Sequence, residues 1–221
     1  TETTSGFSRS ERLTRGCNRT IRLEDTETFV ILTVADNHER KNLSRSMEIF
    51  AKFAEDIPEA RYIIVTRKDS RVGWKLKDLA RTLGIKDKYI EVYRGMPDTE
   101  LADLYRASDV FLLTSKAEGA GLCIREAQAC GTIVAATNCT AITEQISDGR
   151  GYPIEWDYRP IDVWGNSYRY FASISDGVNV LRHIYDADKS LLNSVRNRAL
   201  NYTRGFSWEK SVNRIITRLG L

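Results

Sequence analysis

The sequence predicts an α/β fold: a Rossmann-like, doubly wound parallel sheet followed by extra C-terminal helices. Three observations carry that prediction. Short runs rich in β-branched and aromatic residues alternate with segments of helical period throughout residues 29–154. The runs FVILTV and VFLL are apolar at all positions but Thr33, as strands covered on both faces are. Within residues 110–151 one such strand leads through a small-residue loop into a helix and then into another buried strand, the unit from which parallel sheets are built.

Residues 1–28 are polar and dotted with arginine. They read as a tail or linker, with a short strand near 21–23. Residues 29–221 read as one domain. The first strand, Phe29–Val34, is followed by the polar loop ADNHERK and a helix from about Asn42. Leu43, Met47, Phe50, Ala54 and Ile57 place one apolar stripe on that helix. Asn42 is its expected cap, and Pro58 closes it. The second strand is 62–65. Residues 74–83 form an amphipathic helix ended by Gly84. Tyr89–Tyr93 is the third strand, and Asp98–Ala107 a helix capped by Asp98. Val110–Leu113 is a strand, 122–130 a helix, 133–136 a strand and Tyr152–Ile154 a last short strand. The segment EWDYRPIDVWGNSYRYF is aromatic-rich and aperiodic. It is a surface loop packed by its own rings, or a lid or docking site for another domain. Helices at 175–185, 189–202 and 207–219 close the chain. In the last, Trp208, Val212, Ile215, Ile216 and Leu219 share one face, which needs a partner surface in this domain or in another.

Composition excludes several classes. With 42% hydrophobic and 29% charged residues the chain is an ordinary soluble globular protein. No apolar run approaches the ~18 residues of a membrane span, and none resembles a signal peptide core. A net charge of +3 is too small to argue for nucleic acid. The charge is uneven, however: residues 181–221 hold eight Lys or Arg against three acidic residues. That is a solvated helical face, or a surface for a phosphate-bearing partner or for peripheral membrane association. Cys17, Cys123, Cys130 and Cys139 form no Cys-x-x-Cys pair, and no histidine lies at zinc spacing to them. They read as reduced core thiols of a cytoplasmic protein, with no metal site.

In an open parallel sheet, ligands bind beyond the carboxyl ends of the strands. The loops there are 35–41, 66–73, 94–97, 114–121 and 137–141. Gly119, Ala120 and Gly121 lead into a helix N-terminus. Small residues let a ligand approach the backbone, and free amides with the helix dipole favour a phosphate. On a helical wheel begun at Leu122, Glu126 falls in the apolar arc between Leu122 and Cys130, with Arg125 and Gln128 on the solvent face. A carboxylate in that arc needs hydrogen bonds. A sugar diol supplies two; a salt bridge or a cap to a neighbouring loop is the other solution. Glu118 stands at the mouth of the loop. Lys41, at the same sheet edge, is either a point charge for a diphosphate or a surface lysine at a helix start.

Glu118, Gly119, Gly121, Leu122 and Glu126 recur with Gly131, Thr137, Glu144, Asp148-Gly149 and Gly151 downstream, Lys41-Asn42 upstream, and Phe206-Ser207-Trp208-Glu209 before the last helix. Together they resemble the donor-binding domain of the family-four glycosyltransferases, GT-B fold enzymes of the glycogen-synthase and sucrose-synthase type. The resemblance covers residues 29–221. It implies retaining transfer of a sugar from a nucleotide diphosphate sugar, a co-substrate, with no cofactor and no obligatory metal. It implies that Glu118 is the catalytic-site carboxylate touching the donor sugar and that Glu126 binds the ribose. Lys41 and the turn formed by Gly119, Ala120, Gly121 and Leu122 would hold the diphosphate. The base would lie against the loop from Arg94 to Met96. A GT-B enzyme also has an acceptor-binding domain, which precedes this one in the family. Only about 28 residues precede Phe29 in this sequence, so an N-terminal acceptor-binding domain of a larger enzyme, or a partner subunit, is expected to complete the activity.

The sequence departs from the family pattern in the donor loops. The family's Gly-Arg after the first strand is Ala35-Asp36, which removes one diphosphate cation and adds a negative charge; Arg40 and Lys68 are candidates to compensate. The glycine after the second strand is Thr66. The aromatic between the turn glycines is Ala120. The glycine pair before Glu144 is Thr140-Ala141. These changes motivate a second class of function, a non-catalytic nucleotide-sugar-binding or scaffold module. Nucleic-acid binding through the basic helices is a third and poorer one.

Overall fold

A computed structural model describes residues 28–67, 73–163 and 166–220. The strand expected at 21–23, Cys17, Lys68 and all of the N-terminal tail except Thr28 lie outside the described residues. Six parallel strands make one sheet in the order β3-β2-β1-β4-β5-β6: β1 Phe29–Val34, β2 Ala60–Thr66, β3 Tyr89–Tyr93, β4 Val110–Leu113, β5 Ile133–Thr137 and β6 Tyr152–Ile154. The order runs outward in both directions from the β1–β4 pair, which is the switch point of a doubly wound sheet.

Alternate residues of the strands feed two cores. Ile31, Tyr62, Ile64, Leu112 and Ala135 face helices α1 (Leu43–Phe53), α2 (Leu76–Thr82) and α6 (Ile174–Asp186). Leu32, Ile63, Val65, Phe111 and Val134 face α3 (Asp98–Ala107), α4 (Leu122–Ala129) and α5 (Thr140–Ile146). Each fully buried side chain such as Phe50 or Leu112 contributes roughly 1.5–3 kcal/mol. Thr33, next to last in β1, is polar yet buried. Its hydroxyl donates to the Leu112 carbonyl at 2.6 Å and accepts from the Tyr62 phenol at 2.8 Å, and burial pushes the Tyr62 pKa up to about 12. Helix α6 can lie close on α1 because Gly177 has no side chain: a Cβ there would stand 2.6 Å from Ile49 Cδ1. Helices α7 (Lys189–Thr203) and α8 (Trp208–Leu219) complete the chain.

Several local expectations change. The second amphipathic helix begins at Leu76, not Trp74, because Asn37 holds Trp74 in the loop: its Nδ2 donates to the Trp74 carbonyl at 2.7 Å, and its Oδ1 accepts the Trp74 amide at 2.9 Å. Asn42 precedes α1 but does not cap it through its side chain, since its backbone is left-handed (φ 52°). Asp98 is the first residue of α3, and Pro97 takes the cap position. Helix α5 was not expected from the sequence. Its three buried residues are Ile142, Gln145 and Ile146, so the polar Gln145 interrupts the apolar period.

The aromatic segment is ordered into two small antiparallel ribbons. One pairs β7 (Trp156–Tyr158) with β10 (Phe171–Ala172), the other β8 (Ile161–Asp162) with β9 (Ser167–Tyr168). The apolar stripe of α8 meets no partner surface among the described residues: Trp208 is 79% exposed and Leu219 66%. None of the described helices is long and apolar enough to cross a membrane.

Candidate functional site

The loop after β4 and the 3₁₀ turn at Glu39–Lys41 after β1 meet at the carboxyl end of the sheet, where adjacent strands diverge to opposite sides. Their side chains form one charged cluster. Lys41 Nζ lies 2.5 Å from Glu118 Oε1, and Arg40 Nη1 lies 2.9 Å from Glu118 Oε2. Arg40 also donates to the Ala117 carbonyl at 2.5 Å. The Glu118 side chain is only 6% exposed and Lys41 16%. Burial is the largest influence and works to raise the Glu118 carboxyl, but Lys41, Ser115 and Arg40 together outweigh it and hold the carboxyl below its ordinary range. Two residues earlier, Lys116 pairs with Glu39, tying the same two loops together again.

The turn that follows is built to expose backbone. Gly119 and Ala120 are exposed, and Gly121 is left-handed (φ 59°), a conformation that favours glycine. Gly121 takes the cap position of α4 and offers no capping side chain, so first-turn amides and the positive end of the helix dipole face the loop. Helix α5 fastens the turn from behind. Gln145 Nε2 donates to the Ala120 carbonyl at 2.5 Å, and the Thr140 hydroxyl accepts the Glu118 amide at 3.0 Å. Thr140 is itself left-handed (φ 48°), an uncommon state for a β-branched residue. Glycine in the resembling family would adopt it without strain.

The helical-wheel reading of α4 is corrected. The buried residues are Ile124, Ala127 and Gln128, whereas Leu122 is 50% exposed and Glu126 is exposed. Apolar residues lie on most sides of this helix, Leu122 opposite Ile124 and Ala127 among them, so the wheel has no decisive face. Gln128 can be buried because its amide donates to the Gln145 carbonyl at 2.9 Å and to the Arg150 carbonyl at 3.3 Å. Glu126 therefore carries no burial argument for a diol. It is instead an accessible carboxylate held by the Tyr105 hydroxyl at 3.0 Å. Beside it a pocket of about 380 Å³ is lined by Leu122, Arg125, Glu126, Phe206 and Trp208, among others. The Arg125 guanidinium lies 4.0 Å over the Phe206 ring. The Phe-Ser-Trp entry to α8 thus reaches Glu126, a juxtaposition that sequence spacing does not reveal.

Asp36 is not an unopposed negative charge. Its Oδ1 accepts from Arg67 Nε at 3.1 Å and from Arg94 Nη1 at 3.0 Å. Arg94, expected in the base loop, is thus brought to the end of β1, and two cations gather on Asp36. Arg40, a candidate to compensate for the missing cation, pairs with Glu118 as Lys41 does; Lys68 lies outside the described residues. Met96 packs partly against the second core. The Thr66 and Thr137 hydroxyls, at the ends of β2 and β5, are buried without a hydrogen-bond partner among the described residues. Cys123, Cys130 and Cys139 are free thiols, and burial pushes Cys123 up to about 12 and Cys139 to about 11. They stay protonated near neutrality and are poor nucleophiles. Among the described residues no cluster of His, Cys, Asp or Glu is placed to hold a metal ion.

A doubly wound sheet of this order, with helices on both faces and further C-terminal helices, is one Rossmann-like half of a GT-B fold. The chain belongs to the family described as "Glycosyl transferases group 1", which matches residues 17–156, more than half of it. It is 32% identical over 142 residues to D-inositol 3-phosphate glycosyltransferase 1 of Catenulispora acidiphila, covering 64% of this chain and 30% of that protein. It is 30% identical over 149 residues to the D-inositol 3-phosphate glycosyltransferase of Actinosynnema mirum, covering 66% of this chain and 31% of that one. The chain spans less than a third of the length of these relatives. Among solved structures, a C-terminal domain of a glycosyl transferase group 1 family protein (LpcC) from Francisella tularensis shares the fold, with a TM-score of 0.64 at 19% identity. It covers 89% of this chain and 95% of that one. A sucrose-phosphate synthase from Thermosynechococcus elongatus does so with a TM-score of 0.69 at 22% identity, over 87% and 46%.

Proposed function

We propose that this chain is the donor-binding part of a glycosyltransferase that moves a sugar from a nucleotide diphosphate sugar to an acceptor hydroxyl with retention. The observation that carries the reading is the Glu118, Arg40 and Lys41 cluster placed against the exposed glycine turn at the start of α4. The Lys41 ammonium and the α4 amides supply positive charge to a diphosphate and to the charge it gains on leaving. Glu118 contacts the donor sugar and Glu126 the ribose. Arg94 and Met96 border the base. In the transfer, the bond from the sugar C1 to the phosphate oxygen breaks, the acceptor oxygen bonds to C1 on the same face, and the acceptor proton passes to the departing diphosphate. On this reading the transfer calls for no cofactor and no metal. A cytoplasmic setting suits the free thiols.

An acceptor-binding domain, preceding this part or supplied by a partner subunit, completes the enzyme. The exposed stripe of α8 supports that reading, because an apolar helix face of this kind gains by burial. Calorimetric titration of UDP, GDP, ADP and their sugars into wild type and Glu126→Ala tests the donor site. Saturable binding lost in the variant is expected; no binding of any nucleotide sinks the reading. Binding without transfer, once an acceptor domain is supplied, would favour the non-catalytic module.

A further inference from the structure

The order of the sheet sets the order of the loops at its carboxyl edge. Going across it one meets Arg94 after β3, Lys41 after β1, Glu118 after β4, Asn138 after β5, and then the segment after β6. A donor with its base at Arg94, its diphosphate at Lys41 and its sugar at Glu118 runs along that edge. Beyond its sugar come the β5 loop and then the segment after β6, described over residues 155–163 and 166–172. This inference rests on the donor reading above.

The segment is fastened to the Glu118 loop. The Tyr170 amide donates to the Lys116 carbonyl at 2.9 Å, and the Lys116 ammonium sits 4.0 Å over the Phe171 ring. From the β5 loop, Asn138 Nδ2 donates to Glu155 Oε1 at 2.8 Å. Thus anchored, the two ribbons hold aromatic rings in defined orientations. Tyr158 stacks on Phe171, with centroids 4.4 Å apart and planes 14° from parallel. The Arg159 guanidinium lies 4.8 Å from the Tyr168 ring. Both Tyr158 and Tyr168 remain 48% exposed, although each is packed on one side. Buttressed tyrosines lose little side-chain freedom when a ligand lands on them.

Their chemistry selects the ligand. A pyranose presents a flat patch of C–H groups to a ring and a rim of hydroxyls to phenol, guanidinium and carboxylate groups, all of which this segment carries in Tyr158, Tyr168, Arg159 and Asp157. A nucleic acid would want net positive charge, but Glu155, Asp157 and Asp162 outnumber Arg159 and Arg169. We propose that residues 155–163 and 166–172 form a saccharide-binding platform on the acceptor side of the site, taking a pyranoside against Tyr158 and Tyr168.

The test uses the 221-residue chain with methyl α-D-glucopyranoside, methyl α-D-mannopyranoside and maltotriose, reading saturation transfer from protein aromatic protons to sugar C–H protons. Transfer to at least one of them is expected. It should be lost when Tyr158→Ala and Tyr168→Ala are combined and kept in Tyr158→Phe, with thermal melting unchanged in the latter. No transfer from any probe, or transfer that survives removal of both rings, overturns the proposal. So does a concentration-dependent dimer in sedimentation that the double substitution abolishes, since the rings would then face a second copy. Titrating UDP and GDP into the same samples keeps the claims apart. Failure of both nucleotides with saccharide transfer intact counts against the donor site and leaves the platform standing.

Discussion

The Thr140 hydroxyl accepts the backbone amide of Glu118 at 3.0 Å, and Thr140 does so from a left-handed backbone. Thr140 thus joins Gln145 and Arg40 in holding the loop that presents Glu118, at some conformational cost. Thr140→Ala keeps the strain and loses the bond, so it should lower unfolding stability by about 1 kcal/mol. Thr140→Gly loses the bond but relieves the strain, and should stay within about 0.5 kcal/mol of wild type. Urea unfolding of the two variants checks this; equal losses would mean that the left-handed backbone carries no strain.

Lys41→Met removes the closest cation from a carboxylate that is only 6% exposed. The folded pKa of Glu118 is depressed, so its ionised form stabilises the fold above the unfolded carboxylate pKa. That stabilisation is lost as pH falls through the folded value. Wild type should lose stability on acidification more steeply than Lys41→Met, and the slopes of stability against pH in the carboxylate range report it. On the proposed function, the same variant weakens UDP or GDP binding by about tenfold or more, near the effect of losing one charge-assisted contact.

Asp36 lies between Arg67 and Arg94, and all three are substantially exposed. Breaking such pairs costs little, so Asp36→Ala should change stability by less than about 1 kcal/mol. Asp36→Arg sets a third cation beside two others. It should not raise nucleoside diphosphate affinity above wild type in calorimetric titration. A clear gain would show that Arg67 and Arg94 do not replace the family's arginine.

Tyr105→Phe removes the one phenol hydrogen bond on Glu126 while leaving the ring in the core. Affinity for UDP or GDP should fall by about threefold or less, whereas Glu126→Ala should cost about tenfold or more, the ordinary gap between orienting a ligand group and deleting it. Parallel titrations of the two variants distinguish them.

Gly177→Ala drives a methyl group to within 2.6 Å of Ile49 Cδ1. Overpacking of the α1–α6 contact should destabilise the fold by about 1–3 kcal/mol, read as a lowered melting temperature.

Much of the fold was legible because its signals are local. Short β-branched runs such as FVILTV favour strands buried on both faces, and the stripe of Leu43, Met47 and Phe50 favours a helix on a core, as both turn out to be. The signal failed where a polar residue is buried through distant partners. Gln145 broke the apolar period of α5, and Gln128 misled the reading of α4. Both sit in the interior because their amides reach main-chain carbonyls of other segments. The aromatic segment failed for a related reason: its strands are two or three residues long, and its order comes from ring contacts and from the Glu118 loop rather than from any period.

By itself the sequence determined the α/β class, the alternation of elements, the glycine turn before α4 and the family motif that joins Glu118 to Glu126. These depend on residue type and spacing along the chain, which local backbone preference and hydrophobic period convert directly into structure. Only the tertiary structure decided that Lys41 and Arg40 share Glu118, that Arg67 and Arg94 answer Asp36, and that Trp208 and Glu126 border one pocket. Those relations join residues from 31 to 82 positions apart, and strand order rather than sequence distance brings them together.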